Sequence, residues 1–303
     1  MNELRPVPRV RSALFIPGSR EDFLEKADQR GADAVLIDLE DSVVAGKIDA
    51  ARELVGNWLQ ARPAAVDPVA CVRLHAPDEN ELDADLDAVV HPHITAVLVP
   101  KVTHEDEVIE VAEALAHYEG RRGMPRGEVR IWPLVETAAA VQRSDRIARA
   151  SARVAYMGGG TSRQGDIARA LGFRWSAEGF ETLYLRSKVL VDVRAAGVPN
   201  PISGLVSSLD GNEDLETFAR QSRALGYEGL MVIHPSQVPL VNEVFSPTDE
   251  ERQEAREVLA ALADAERHGL GAVIYRGRMI DRANIETIHS LGLVGESAVE
   301  GDA

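Results

Sequence analysis

A series of short apolar runs in this chain each lead into a residue able to do acid, base or metal chemistry. Glu40 and Asp41 follow the run 34–39, Arg73 and His75 stand at the end of 69–74, and Lys101 follows 96–99. Glu136 follows 129–135, Asp166 closes a glycine-rich loop after 153–157, Asp210 follows 202–206, and His234 follows 229–233. Glu136 and Asp166 make the natural metal pair. Two hard carboxylates with no Cys or His cluster beside them suit Mg2+, with Mn2+ as its substitute, an ion that keeps several waters and leaves room for substrate oxygens. Glu40 and Asp41 can orient those waters. Arg73 offers a planar fork for a substrate carboxylate, or pairs with one of these acids. The glycines of Met157-Gly-Gly-Gly160 let a ligand approach the backbone, and they also mark tight loops. Singly, each charge is also what a solvated strand end or a helix cap carries, and Ser42, Thr103 and Thr137 read as N-caps. The convergence of several acids and one Arg on a single rim is what points to a site.

That rim exists only if the elements place it. The eight runs (12–16, 34–39, 69–74, 96–99, 129–135, 153–157, 202–206 and 229–233) are near-continuously apolar, as strands buried on both faces are. Amphipathic helical patterns alternate with them, over 21–30, 104–118 and 178–196, the last stopped by Gly197. Eight strand–helix units predict an α/β chain folded as a (β/α)8 TIM barrel, whose catalytic groups sit at the C-terminal strand ends. An open doubly wound sheet fits less well, because no strand–GxGxxG–helix unit opens the chain. The expected division is a barrel domain over 1–247 and a C-terminal helical extension over 248–303. In that extension a charged helix (249–268) leads through a Gly-rich turn to an extended piece (272–280) and a final helix from about Asn284. The extension's Ile280, Ile285, Ile288 and Leu291 form an apolar set that asks for a partner surface.

Composition narrows the function classes. The 303 residues carry a formal net charge of −16, 45% hydrophobic and 27% charged residues. This is ordinary globular composition, and the charge excludes a basic stripe for nucleic acid or an anionic membrane surface. No apolar run approaches the ~18 residues of a membrane span, and MNELRPVPRVRS lacks the apolar core of a secretory signal. The expected location is the cytoplasm. The single Cys71 leaves neither a disulfide framework nor a Cys-based zinc site. Of the 33 basic residues only Lys26, Lys47, Lys101 and Lys188 are lysines. A Schiff-base lyase would have to use Lys101, the only one at a strand end.

These residues carry a family resemblance. Arg11-Ser-Ala-Leu-Phe-Ile-Pro-Gly18-Ser-Arg20, Lys26-Ala, and Gly31-Ala-Asp-Ala-Val-Leu-Ile-Asp-Leu-Glu-Asp-Ser-Val43 resemble the citrate lyase β-subunit-like group of the HpcH/HpaI aldolase family. So do Val72-Arg-Leu-His75, Val99-Pro-Lys101, Leu134-Val-Glu-Thr137, Asp166-Ile-Ala-Arg-Ala-Leu-Gly172, Ile233-His-Pro-Ser-Gln237 and Val241-Asn-Glu-Val-Phe-Ser-Pro247. The resemblance implies a homotrimer or homohexamer and Mg2+-dependent aldol or Claisen chemistry on a CoA thioester of malyl, citramalyl or citryl type. The small-molecule partners would be a 2-oxo acid and an acyl-CoA. It puts the metal ligands on Glu136 and Asp166, the substrate-carboxylate Arg on Arg73, and CoA-phosphate contacts on Arg20 and Lys26. Gly277-Arg-Met-Ile-Asp281 resembles a motif whose Asp donates a proton to a neighbouring subunit's site, and Asp281 equally suits the N-cap of the last helix. Two departures stand out. His75 replaces a common Asn, and the Gly160–Asp166 loop is longer than usual, which brings Thr161, Ser162 and Arg163 near the substrate.

Cleaving a β-hydroxy thioester takes the hydroxyl proton as the C–C bond breaks. It releases a thioester enolate that needs a charge cradle and then a proton. In reverse, the site condenses an acyl-CoA with glyoxylate or pyruvate, and attack of water on the thioester makes it a thioesterase or synthase. The rivals are a CoA-independent metal aldolase on free acids, the Lys101 Schiff-base lyase, and a non-catalytic subunit.

Overall fold

The computed structural model describes residue 4 and residues 6–63, 67–176, 178–209, 213–290 and 292–293. Eight parallel strands close on themselves: β1 (Ser12–Pro17), β2 (Ala34–Asp38), β3 (Val69–Arg73), β4 (Ala96–Val99), β5 (Arg130–Val135), β6 (Tyr156–Gly159), β7 (Asn200–Ser203) and β8 (Gly229–Val232). Closure is the pairing of Ala13 with Met231 on β8 while the same residue pairs with Ala34 on β2. Helices alternate with the strands: α1 (Glu21–Leu24), α2 (Ile48–Ala61), α3 (Leu82–Val89), α4 (Glu105–Arg121), α5 (Ala138–Arg149), α6 (Asp166–Leu171), α7 (Phe180–Ala195), α8 (Glu213–Leu225) and α9 (Val238–Phe245). The fold is a (β/α)8 TIM barrel with additional C-terminal helices. No helix among the described residues is long and apolar enough to cross a membrane.

Two apolar layers hold the barrel. Strand residues facing out meet the helices in one large cluster that includes Leu14, Val35, Val72, Val97, Ile131 and Val232. Those facing in make a second cluster, with Ala34, Leu36, Cys71, Leu98, Leu134 and Met231 around Trp132 stacked on Tyr156 (5.2 Å between centroids). Burial pushes the Cys71 thiol up to about 12, so it serves as a small apolar side chain.

Some boundaries differ from the sequence pattern. The expected sixth strand at 153–157 lies at Tyr156–Gly159, and the seventh, expected at 202–206, lies at Asn200–Ser203. Gly158 explains the first shift. A Cβ there would come within 1.5 Å of the Ile202 carbonyl oxygen, so the glycine is required by the seam between β6 and β7 rather than by a ligand. The helix expected over 21–30 breaks into α1 and a 3₁₀ turn at Ala27–Gln29. The cap of α4 falls on His104 with Glu107 as its reciprocal partner, not on Thr103, whereas Thr137 does cap α5. Asp210 lies outside the described residues.

The N-terminal side of the barrel is pinned by one buried pair. Glu119 of α4 is fully buried and accepts the N–H groups of Gly127 (2.9 Å) and Val129 (2.8 Å) and both arms of the Arg153 guanidinium (2.8 and 2.7 Å). Burial alone would raise its pKa, but Arg153 and the two backbone donors outweigh it and hold the carboxyl below its ordinary value. A depressed native pKa means that this stabilisation is present above the ordinary carboxylate pKa of about 4.3 and fades as pH falls through the native value. Glu119→Gln should therefore cost about 3 kcal/mol near neutrality and progressively less in acid, as urea titrations at neutral pH and at about pH 3 would measure.

The chain divides at Phe245/Ser246 into two compact units. The second holds α10 (Asp249–Arg267), an antiparallel hairpin of β9 (Ala272–Tyr275) and β10 (Arg278–Asp281), and α11 (Arg282–Ser290). Thr248 caps α10 with Glu251 as its box partner. Ala255, Val258 and Leu262 on α10 cover Ile280 and Ile288, with Ile285 and Val273 packed at the edge. α10 thus gives Ile280 and Ile288 an apolar surface within the unit, while Ile274 and Met279 remain exposed. Leu291 lies outside the described residues.

Candidate active site

The C-terminal ends of β2, β3, β4 and β5 and the start of α6 build one charged rim. Asp38, the last residue of β2, is buried, and its carboxylate accepts the N–H groups of Glu40 (2.9 Å) and Ser42 (3.0 Å). It also takes the Nε and Nη2 hydrogens of Arg73, the last residue of β3, at 2.7 and 2.8 Å. The Arg73 fork is thus spent on Asp38. Only Nη1 remains, 3.0 Å from Glu40 Oε2 and 3.2 Å from Asp41 Oδ2. This corrects the expectation of a free fork for a substrate carboxylate: what Arg73 brings to the cavity is a fixed positive charge and one N–H edge. Asp38, which holds it, is hidden in the sequence as the polar member of an apolar strand. Its one signal is its place directly before Leu39-Glu40-Asp41.

Lys101 ties the next two strands together. It follows β4 in the left-handed region (φ 49°), rare for a residue with a side chain. In that conformation its backbone N–H donates to Glu136 Oε1 at 2.8 Å, while Nζ lies 2.7 Å from Glu40 Oε1 and 3.2 Å from Asp41 Oδ1. Burial works against the ammonium, but Glu40 and Asp41 outweigh it and raise the Lys101 pKa well above the usual lysine value. A Schiff-base nucleophile must be a neutral amine, and Glu40 and Asp41 favour the charged form of Lys101.

The carboxylates show the opposite imbalance. Glu136 is 6% exposed, and burial, helped by Asp166 and Glu40 against the Lys101 N–H and Arg73, pushes its pKa up to about 7. Burial likewise raises Glu40. Both Glu40 oxygens lie within ionic distance of a cation, yet neither accepts a properly directed hydrogen bond. Asp166 opens α6 and pairs with the exposed Arg169. Asp38, Asp41, Arg73, Glu136 and Asp166 together line a cavity of about 400 Å³ at the barrel mouth, and Glu136 and Asp166 also border a second of about 340 Å³.

The family model of the HpcH/HpaI aldolases and citrate lyases matches residues 11–235. This chain belongs to the HpcH/HpaI aldolase/citrate lyase family. It is 35% identical to the citrate lyase subunit beta-like protein of Deinococcus radiodurans over 289 residues, 94% of this chain and 97% of that one. It is 32% identical to a (3S)-malyl-CoA thioesterase of Cereibacter sphaeroides over 280 residues, 91% of each chain. Among solved structures, CitE of Mycobacterium tuberculosis, crystallised with magnesium, acetoacetate and coenzyme A, superposes with a TM-score of 0.72 at 28% identity, covering 92% of this chain and 96% of that one.

In this member of the citrate lyase family the residues present fit a hard divalent cation. Glu136 Oε2 sits beside Gly160, where a Cβ would come within 3.3 Å of it, so the glycine keeps that oxygen approachable. The buried oxygens of Glu40 lack hydrogen bonds, and every donor is a carboxylate. Among the described residues no three His, Cys, Asp or Glu side chains converge tightly enough to hold an ion by themselves. Water and substrate oxygens would complete the shell, as suits Mg2+.

Other expected site residues of the barrel make contacts of their own. His75 turns away from the cavity: its backbone N–H and Nδ1 meet Asp85 (2.8 and 2.9 Å), which also pairs with Arg52. His234 caps the turn Pro235–Gln237. Of Thr161, Ser162 and Arg163 only Ser162 lines the cavity; Thr161 is fully buried, and Arg163 turns to Asp214. Arg20 pairs with Asp22 across the Phe23 ring and is exposed, as is Lys26. Asp281 accepts the Ala283 N–H at 2.9 Å and so caps α11.

Proposed function

We propose that this chain is a Mg2+-dependent carbon–carbon lyase that cleaves or forms a β-hydroxyacyl-CoA, giving a 2-oxo acid and an acyl-CoA. The observation that carries this reading is buried Glu136, its pKa pushed up to about 7 by burial, beside Asp166 in the wall of a cavity of about 400 Å³. Its support from relatives is CitE, crystallised with magnesium, acetoacetate and coenzyme A. A divalent cation held by Glu136 and Asp166 would supply Lewis-acid polarisation of the hydroxyl and oxo-acid oxygens. Arg73, locked by Asp38, sets a permanent positive charge beside the oxo-acid carboxylate at no reorganisation cost during reaction. Glu40 and Asp41 hold Arg73 and Lys101 in place and offer acceptors to ordered water. Arg20 and Lys26 are our choice for the CoA phosphates, on the sequence resemblance.

Incubation of the Mg2+-loaded protein with malyl-CoA or citramalyl-CoA tests the reading. A 2-oxo acid and an acyl-CoA as products support it, and no reaction with either thioester overturns it. The thioesterase relative favours a second outcome, free hydroxy acid and CoA thiol, and the same product analysis separates the two.

We also propose that the active form is a trimer or hexamer in which Asp281 serves a neighbouring copy as proton donor. Glu136→Ala and Asp281→Ala proteins should each be inactive, and mixing them with verified subunit exchange should restore part of the activity. An active monomer on light scattering, or no recovery after exchange, would overturn this.

A further inference from the structure

The cavity is polar on one side only. Each cation near it is already held by acid: Arg73 by Asp38, Glu40 and Asp41, Lys101 by Glu40 and Asp41, and the exposed Arg169 by Asp166. The loop cation Arg163 is paired with Asp214. Among the described residues of the barrel, no cation near the cavity is left over for a further anion. The remaining wall is largely hydrocarbon. Leu134 and Met231 belong to the barrel-interior cluster, Phe15 and Leu205 pack against it, and Ile233 joins them in the lining. Leu134 lies two residues before Glu136 on β5, so its side chain shares the inward face one layer deeper, below the carboxylate.

We infer that the oxo acid taken by this site is a monoanion whose chain beyond the oxo carbon is hydrocarbon, and that a second carboxylate is rejected. The inference rests on the proposed function. A 2-oxo acid that places its carboxylate and oxo oxygen at the charged rim must send the rest of its chain toward Leu134, Met231 and Leu205. Alkyl carbons gain there by leaving water. A second carboxylate would lose its hydration against those side chains, and Ser162, the one polar side chain from the long loop in the lining apart from Asp166, offers it a neutral hydroxyl and no compensating charge.

Calorimetry on the Mg2+-loaded full-length protein tests this with two matched comparisons. 2-Oxobutanoate should bind about threefold or more tighter than pyruvate, because it adds one methylene alone. 2-Oxopentanoate should bind about a hundredfold or more tighter than 2-oxoglutarate, which differs only in ending on a carboxylate instead of a methyl group. Leu205→Arg, at a half-buried part of the wall, should narrow the second gap by about tenfold or more. Dicarboxylate binding within about threefold of 2-oxopentanoate, or a gap unchanged in a folded Leu205→Arg protein, would overturn the inference and leave the proposed reaction standing. Failure of every 2-oxo acid to bind would overturn that reaction and this inference together.

Discussion

Glu136→Gln should lower kcat/KM by about a thousandfold or more and remove measurable Mg2+ binding in calorimetry. The change keeps size and keeps an oxygen for the Lys101 N–H, so the fold of the β4 and β5 ends should survive, with a Tm close to the parent's. What disappears is the charge. Desolvation already makes that charge costly, with the pKa pushed up to about 7, so the group is ionised most readily when a cation sits beside it. Glutamine imposes no such cost, and the metal-free variant should be as stable as the parent or slightly more so. A Glu136→Gln protein that turned over normally in chelator would remove the metal from the mechanism altogether.

Arg73→Lys should cost about a hundredfold in kcat/KM and also about 2–3 kcal/mol of stability. An Arg73 with a free fork would predict a loss of substrate affinity alone. The structure predicts both effects, because Nε and Nη2 each hold one oxygen of buried Asp38 while Nη1 faces Glu40 and Asp41. One ammonium cannot serve three carboxylates in that geometry, so Asp38 is left buried and half-paired. Asp38→Asn tests the same arrangement from the other side: kcat should fall, since the guanidinium that Asp38 clamps is then free to swing. Thermal unfolding and steady-state kinetics on the two variants distinguish this from a purely structural Arg73, which would lower Tm and leave kcat unchanged.

Much of this architecture is legible in the amino-acid order. The buried-strand pattern of Ala34–Asp38 or Ala96–Val99 is self-announcing, because a run apolar on both faces has few other places to go. So is the rim, since an acid at the end of such a run has to be at a barrel mouth. The misplacements have local causes. β6 is Tyr-Met-Gly-Gly and β7 is Asn-Pro-Ile-Ser, compositions that disfavour strands. Here the need for backbone contact between Gly158 and Ile202 overrides propensity, and pattern reasoning cannot see a partner strand more than forty residues away. Partners of the charges are hidden for the same reason. Nothing in Val72-Arg73-Leu74 says that the fork will be taken by Asp38, nor that His75 will face Asp85 on a helix.

Lys101 holds an awkward position in the history of such a protein. Its left-handed backbone costs about 1–3 kcal/mol for a residue with a Cβ, and glycine would remove that cost outright. Yet the same residue aims an N–H at Glu136 and an ammonium at Glu40 and Asp41. Selection for robustness and selection for turnover therefore pull this one codon in opposite directions. A lineage released from catalysis, such as a barrel retained only as a scaffold, would be free to exchange the lysine early. Lys101→Gly should therefore relieve the backbone and remove the cation that Glu40 and Asp41 share.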